Sequence, residues 1–572
     1  MAFDGFITKT VCEELKTCLL DGKINKVFEP TKNEIVLSIY SHGSQYALLI
    51  NIDSNQYRMH LTTHSKPNPL SAPNFCMLLR KYLIGCKIKE IVSFDLERLI
   101  EIKLEGYNEL NDIVYRSLII ELMGKHSNII LLNENRKIID SLRHLDSSSG
   151  SYRDILPARE YSFPRENKVS FLDFSPSEFE NLILTDDLSL DTIVSNHFIG
   201  ISKLSIQQIL EKLSILPNSR EKQDILKLYQ YLHELISKLA TQEVSCISYQ
   251  NDYCIDLKDT KELLQVNFFL DDYYSKKEQN DNLVSYRNTM LKLILTQLKK
   301  IHKKLANINQ KLEDCKNMDT YRLYGELIIS NLYHIPKENL ESVELENYYE
   351  ENKKIVIPLD HTISPSSNAK KYFKKYNKLK NTLEIVSIQK KETQQEIEYL
   401  ESIVYELESA TTITDIDEIY NEISENVLFK DTFKKEKANI KKNKINKRKV
   451  HDTYEPLIYT VDGFTVYVGK NNKQNDYITT KLGKSEDYWF HTQDIRGSHV
   501  LLKTDGKEVK QTTLEAVASL AAYYSKGRLS SNVPVDYCFI KDVKKPSGSK
   551  PGMVIFKNYK TLYVNPKLQF EK

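Results

Sequence analysis

Residues 291–312 read LKLILTQLKKIHKKLANINQKL, with Leu291, Ile294, Leu298, Ile301, Leu305, Ile308 and Leu312 recurring at alternating spacings of three and four. That is an a/d heptad seam, and a helix carrying such a stripe calls for a partner helix to cover it. A second seam runs through Leu379, Leu383 and Val386 and resumes at Ile397, Leu400, Val404 and Leu407. Lys390 and Thr393 hold a/d positions within it and weaken or register the pairing. Between the seams, residues 316–375 carry Pro336, Pro358, Pro365 and one β-like run, Lys354–Pro358. Two matched seams in one chain favour an antiparallel coiled-coil arm with a small tip domain over parallel dimerisation through each seam.

Toward the N-terminus the pattern changes period. Lys23–Phe28, Glu34–Tyr40, Gln45–Ile52, Leu99–Leu104 and Asn128–Leu132 are rich in branched and aromatic residues and read as strands. Thr8–Leu19 and Asn74–Leu83 read as helices, so residues 1–165 suggest a mixed α/β or β-sandwich-like domain. From about 170 to 285 the strand signal fades, and Leu188–Leu216 and Arg220–Thr241 have helical spacing. Between those helices Phe198–Leu204 (FIGISKL) is either a helix-hairpin-helix turn, whose Gly200 lets the backbone approach phosphate beside Lys203, or an ordinary αα-hairpin. Toward the C-terminus, Gly463–Gly469, Val533–Ile540, Met553–Phe556 and Thr561–Val564 read as strands and Leu514–Ser525 as a helix.

Charge sharpens this division. The 572 residues hold 80 Lys+Arg and 78 Asp+Glu, a net of +2. Residues 434–449 (KKEKANIKKNKINKRK) carry nine Lys/Arg and one acid, and residues 450–572 carry 18 and 13, which leaves −11 on residues 1–433. Phosphate binding needs concentrated positive charge, so nucleic-acid contact is expected to be local. The basic segment is either a solvated tether or an RNA contact. No apolar run approaches the roughly 20 residues of a bilayer span, and MAFDGFITK does not read as a secretory signal. The eight cysteines form no CxxC pair and read as reduced thiols of a cytosolic protein.

Enzyme signatures are missing: there is no GxxxxGK[ST], GxGxxG, HExxH or GxSxG. His491 and His499, with Asp494 between them, suit neither one helical face nor one strand face, so a metal or acid/base role is not expected. Polar loops offer more. Lys470 and Lys473 lie in Gly469–Asp476 (GKNNKQND), and Lys541, Lys544, Lys545 and Lys550 lie in Lys541–Gly552 (KDVKKPSGSKPG). Ammonium groups beside Gly/Pro-rich backbone are the ingredients of a phosphate-binding concavity, and Asn471, Asn472, Gln474 and Asn475 read as donors to bases and sugars. GKNNKQND fits a hairpin turn equally well. In ELMGKHSN, Gly124 breaks a helix-like run and displays Lys125 and His126, for binding or as a structural cap.

MAFDGF, FCMLLRK, ELMGKHSN, YRLYGELI, NAKKYFKKYNKLK, VGKNNKQND and VDYCFIKDVKKPSGSKPGMV occur in this order along the chain. Together they resemble the NFACT family, with its RqcH-like bacterial branch once labelled fibronectin-binding protein A. The resemblance implies a multidomain α+β protein: an α/β NFACT-N domain over 1–168, a helical region with a helix-hairpin-helix over 169–284, coiled coils over 285–317 and 376–433, a tip domain over 318–375, a basic linker over 434–449, and an α+β NFACT-R domain over 450–572. It further implies a cytoplasmic, ribosome-associated binding factor without cofactor, metal or membrane partner. Such factors engage 50S subunits, through rRNA and ribosomal proteins, that still hold a peptidyl-tRNA. They recruit alanyl-tRNA and, with the small protein RqcP, direct untemplated C-terminal alanine tails, while peptidyl transfer remains the ribosome's work.

Family motifs carry over residue by residue. The tRNA-contact pair, Asp-Arg in the family, reads Glu97-Arg98; Arg98 keeps the fork suited to phosphate or guanine, and Glu97 is one methylene longer. Lys125 replaces Arg before His126 in the Met-Gly-Arg-His motif and keeps charge without the fork. Arg496 stands where Pro is usual, and Ala158 where Gly is usual. The NFACT-N domain resembles the N-terminal domain of formamidopyrimidine-DNA glycosylases, whose nucleophile is an N-terminal Pro. Met1-Ala2-Phe3-Asp4 lacks it, so no glycosylase activity is expected. A surface adhesin, as the older label suggests, and an RNA-free scaffold are the competing readings.

Overall fold

The computed structural model describes residues 3–146, 153–164, 167–257, 265–336, 340–425 and 455–568; the basic segment 434–449 lies outside the described residues. The chain divides into two compact units, Met1–Gln279 and Asn280–Lys572. It is a multidomain α+β protein, and all eight cysteines are free and buried.

In the first unit, helix α1 (Gly5–Leu19) starts where Asp4 Oδ1 accepts the Phe6 and Ile7 N–H groups at 3.1 and 3.3 Å, an N-cap that begins the helix three residues before the sequence pattern does. Strands β1 (Lys23–Thr31), β2 (Glu34–Ser41), β3 (Ser44–Asn51) and β4 (Arg58–Leu61) follow, then helix α2 (Asn74–Leu83). Strands β5 (Lys87–Ser93), β6 (Leu99–Tyr107), β7 (Ile113–Glu121), β8 (Asn128–Asn133) and β9 (Ile138–Ser141) complete one sheet. Its order is β4-β3-β2-β1-β5-β6-β7-β8-β9, and every neighbouring pair is antiparallel. The expected α/β character therefore does not hold. Parallel neighbours need long crossovers, whereas turns such as His42–Gly43, with φ of 47° and 79°, reverse the chain within two residues.

Helices α3 (Pro176–Thr185), α4 (Leu190–His197), α5 (Lys203–Leu213) and α6 (Lys222–Leu239) share with α1 and the sheet one apolar core running from Phe3 to Tyr274, in which Phe171, Phe179, Phe198, Leu228 and Leu232 are buried. A hairpin of β10 (Val244–Tyr249) and β11 (Asp252–Leu257) interrupts the stretch over which the strand signal fades. Its two-residue turn, Gln250–Asn251, uses a left-handed Gln250 (φ 52°) rather than the Asn-Gly pair that marks such turns. The long helix α7 (Gln265–Cys315) begins in this unit, where the Glu14 carboxylate accepts the Val266 and Asn267 N–H groups at 2.8 and 2.9 Å.

Residues 265–330 form a long, bent helical region of α7 and α8 (Met318–Ser330). In the second unit, α7 lies against α9 (Pro365–Ser409): Arg287 donates to the Glu408 carbonyl at 3.4 Å and Cys315 Sγ lies 3.6 Å from the Leu379 carbonyl, an antiparallel order. Met290, Ile294 and Ile301 are buried there with Ile397, Leu400, Ile403 and Leu407. Thr393 takes its seam position fully buried, with its hydroxyl unpartnered. Helix α8, strands β12 (Ser342–Asn347) and β13 (Lys353–Pro358) and the start of α9 share a small core of Leu327, Ile328, Leu345, Ile357 and Ala369. The second strand of that hairpin is the run seen in the sequence; the first, SVELEN, hid among its acids. Helix α10 (Ile413–Glu425) follows.

The C-terminal part is a six-stranded antiparallel sheet ordered β14 (Leu457–Val461), β15 (Phe464–Val468), β17 (Val500–Leu502), β16 (Tyr488–Thr492), β18 (Val533–Phe539) and β21 (Lys560–Val564). The helix Gln511–Tyr523 covers one face through Leu514, Val517, Ala518 and Ala521. Val543–Lys544 (β19) and Ile555–Phe556 (β20) form a separate two-stranded ribbon.

Candidate nucleic-acid interface

The first unit brings Glu97-Arg98 and Lys125-His126 to one end of the sheet. β6 starts at Leu99, opposite Glu121 at the end of β7, and the Leu122 N–H donates to the Arg98 carbonyl at 2.8 Å. Both pairs therefore leave the sheet at the same end. Lys125 and His126 are exposed on a short 3-10 turn, Gly124–His126, which Gly124 enters at φ 62°. Glu97 and Arg98 are half-buried, and the Arg98 guanidinium lies 3.5 Å from the buried Tyr57 hydroxyl. Burial pushes the Tyr57 phenol up, and the Arg98 charge opposes this. Arg143, unremarked in the sequence, fastens the turn by donating to the carbonyls of Lys125 at 3.4 Å, Ser127 at 3.2 Å and Ile52 at 2.9 Å.

Gly200 packs tightly against neighbouring backbone. At φ 68°, a Cβ there would lie 1.8 Å from the Leu96 carbonyl oxygen, and one on Gly5 would lie 2.1 Å from that same oxygen. The Gly5 N–H donates to the Gly200 carbonyl at 2.7 Å. Three backbone segments thus meet one residue before Glu97, and only glycine permits the approach. Asp4 Oδ2 accepts the Ser205 hydroxyl at 2.6 Å, tying the start of α1 to the start of α5. Burial raises the Asp4 carboxyl despite these donors. Lys203 is engaged by Thr192 Oγ1 at 2.8 Å and Asp191 at 3.5 Å.

In the second unit, the expected hairpin turn GKNNKQND is instead a capped six-residue helix, Asn472–Tyr477, with Asn471 Oδ1 accepting the Gln474 N–H at 2.9 Å. Its amides are not free for bases. Asn471 and Gln474 donate to Glu418 at 2.6 and 2.7 Å, Asn472 donates to Ser402 at 3.0 Å, and Asn475 Oδ1 accepts the His499 N–H at 3.0 Å. A Cβ on Gly469 or Gly552 would fall 2.2 Å from the Asn475 or Asn472 amide oxygen, so these glycines exist to seat the amides. Asp476 closes the KDVKKPSGSKPG loop on the helix by accepting the Gly552 N–H at 3.0 Å and pairing with Lys545.

The lysines therefore differ among themselves. Lys470 pairs with Asp415 at 2.8 Å, Lys541 lies 5.0 Å from the Phe539 ring centre and Lys550 5.6 Å from that of Tyr399. Lys544 is exposed on β19 and Lys473 is half-buried.

The two histidines, which sequence spacing had kept apart, meet. Phe490 pairs with Val500 across β16 and β17, so His491 and His499 stand opposite one another, with ring centres 5.5 Å apart. Burial pushes His491 down to about 4 and His499 to about 3, so both are neutral at physiological pH. Thr479 Oγ1 holds His499 Nδ1 at 2.8 Å. With Trp489, Tyr399, Phe556 and Arg496 they line a cavity of about 220 Å³ against α9. Among the described residues there is no cluster of three or more His, Cys, Asp or Glu that could hold a metal, and no helix long and apolar enough to cross a membrane.

Residues 4–444 match the family described as NFACT N-terminal and middle domains, and residues 452–558 match the NFACT protein RNA binding domain. A protein named Rqc2 homolog RqcH from Bacillus subtilis is 34% identical over 570 residues, covering 99% of this chain and 98% of that one. The protein of the same name from Streptococcus suis is 34% identical over 572 residues with the same coverage. A solved structure of the N-terminal part of a fibronectin/fibrinogen-binding protein from Streptococcus suis is 30% identical, covers 48% of this chain and all of that one, and aligns with a TM-score of 0.41. With both family matches in order and relatives aligned end to end, this chain belongs to the NFACT family.

Proposed function

We propose that this chain is a cytoplasmic ribosome-associated quality-control factor. It binds stalled 50S subunits carrying peptidyl-tRNA through rRNA and ribosomal proteins, recruits alanyl-tRNA and, with RqcP, directs untemplated C-terminal alanine tailing. It acts by binding and positioning, because holding two reactants in register alone removes much of the barrier to a bimolecular step. The end-to-end likeness to proteins named Rqc2 homolog RqcH carries this reading. The placing of Arg98 with exposed Lys125 and His126 at the same end of neighbouring strands supports a tRNA-backbone contact there. On this reading 285–317 and 376–433 form the arm, 318–375 its tip, and Lys473, Lys541 and Lys544 add RNA contacts in 450–572.

Isolation of tagged chain from cells, with identification of bound tRNAs and ribosomal particles, tests the proposal. Recovery of 50S subunits with alanyl-tRNA, released as salt rises, is the expected result. Recovery of neither RNA, or unchanged alanine tailing in a strain carrying Arg98→Ala, overturns the proposal or its tRNA contact respectively.

A further inference from the structure

Trp489 is the chain's single tryptophan and is fully buried, yet it belongs to no apolar core. The pleat explains this. Phe490 faces the core beneath helix Gln511–Tyr523, so its neighbours Trp489 and His491 face the other side of the sheet, toward α9. There the indole stacks on His491 at 5.8 Å, meets His499 edge-on at 5.1 Å and touches Phe556 at 4.9 Å between ring centres. Its Nε1–H has no partner. Glu406, buried in the same wall on α9, has an unpartnered Oε2. An orphaned buried polar atom is costly, and two lining one cavity call for a ligand with matching polar atoms.

The cavity's chemistry narrows the ligand. Its volume of about 220 Å³ is below the roughly 300–1,000 Å³ of pockets that enclose drug-sized molecules, so it suits one small ring system. Its deep wall is weakly polar: burial keeps both histidines neutral and pushes the Glu406 carboxyl up, while Glu398 stands exposed at the rim. Cations stand in its wall and beside it: Lys550 over Tyr399, Arg496, which shares its charge with Glu401 at 3.3 Å, and Lys470, paired with Asp415. A neutral aromatic interior with cations alongside matches a neutral heteroaromatic base attached to an anionic phosphate. We propose that this cavity receives a single unstacked nucleobase of an RNA strand, held by the Trp489 indole N–H and the Glu406 carboxyl between aromatic side chains. Enzymes that extrude a base read it in this manner, by edge hydrogen bonds and stacking.

This inference rests on the chain being an RNA-binding factor. Because Trp489 is the chain's only tryptophan, its fluorescence reports on this cavity alone. The full chain is titrated with a single-stranded oligoribonucleotide, with an abasic strand of equal length, and with free nucleoside 5′-monophosphates. The base-containing strand is expected to change Trp489 emission saturably and to bind more tightly than the abasic one. By anisotropy of labelled RNA, Trp489→Phe loses about fivefold in affinity through the missing donor. Phe556→Ala, which removes a half-exposed ring, loses about tenfold through stacking. Equal binding of abasic and base-containing strands overturns the cavity assignment while leaving RNA binding intact. Mononucleotides that saturate the signal when strands do not assign the cavity to a free nucleotide and overturn the RNA source. No RNA binding by any strand overturns the parent reading and this one together.

Discussion

Replacing Gly200 by Ala separates its two readings, because a phosphate-facing glycine and a packing glycine fail differently. At φ 68° an alanine is left-handed, which costs about 1–2 kcal/mol. Its Cβ would overlap the Leu96 carbonyl oxygen at 1.8 Å and the Leu96 carbonyl carbon at 2.7 Å. Both are backbone, so no side chain can turn aside, and forced repacking costs about 1–3 kcal/mol. Separating the chains also breaks the 2.7 Å Gly5-to-Gly200 hydrogen bond, worth about 1 kcal/mol. The total is about 4 kcal/mol, which lowers the first unit's Tm by roughly 10 °C for a unit of this size. Scanning calorimetry of the full chain measures it. Lys203→Ala, which removes an exposed ammonium group bonded to Asp191 and Thr192, is expected to leave Tm nearly unchanged. A Gly200→Ala protein with wild-type Tm but weakened RNA affinity refutes the packing account and restores the phosphate-facing turn.

Other expectations follow from the same geometry. Ala158 holds a left-handed φ of 67°, so Ala158→Gly is expected to stabilise the chain by about 1 kcal/mol, read by urea denaturation; a loss of stability contradicts that strain. Arg153 and Tyr161 are the partners of the fully buried Glu121, so Arg153→Met is expected to cost about 3–5 kcal/mol, with part regained when Glu121→Gln is added. Glu422 is buried beside Tyr399 and Asn472, and burial lifts its carboxyl from 4.5 to about 7. Folded chain thus holds a proton that unfolded chain has released. The associated stability is full below 4.5 and is lost as pH rises through about 7, in a titration shared with the neighbouring buried Glu406. Glu422→Gln flattens this profile, and an unaltered profile counts against the assignment. Arg98→Lys keeps charge but loses the fork, so tRNA affinity falls severalfold while its salt dependence persists; full affinity excludes a bidentate contact.

Strands Glu34–Ser41 and Asn128–Asn133 and helix Asn74–Leu83 followed closely from alternation and periodicity, because those signals are local. The hairpin Val244–Leu257 did not, since its turn lacks the usual Asn-Gly chemistry and its strands carry no long apolar run. At the candidate sites, the family motifs singled out Arg98, Lys125 and His126, but not Tyr57 or Arg143, whose contacts arise from distant partners. GKNNKQND misled for a related reason. Asn and Gly suit turns in isolation, and only Glu418, Ser402 and His499 convert the segment into a buried, capped helix.

The amino-acid order alone determined the heptad seams and the placing of net positive charge after residue 433. Each depends on neighbours a few residues apart or on composition. Tertiary structure alone decided what those features serve. Gly200 meets Leu96 and Gly5 across the chain, His491 faces His499 across two strands, and Trp489 turns away from its core into a cavity. Long-range contact has no signature in spacing, because the entropy of closing a loop grows only slowly with its length and so leaves many pairings within reach. Burial and polar satisfaction then select among them.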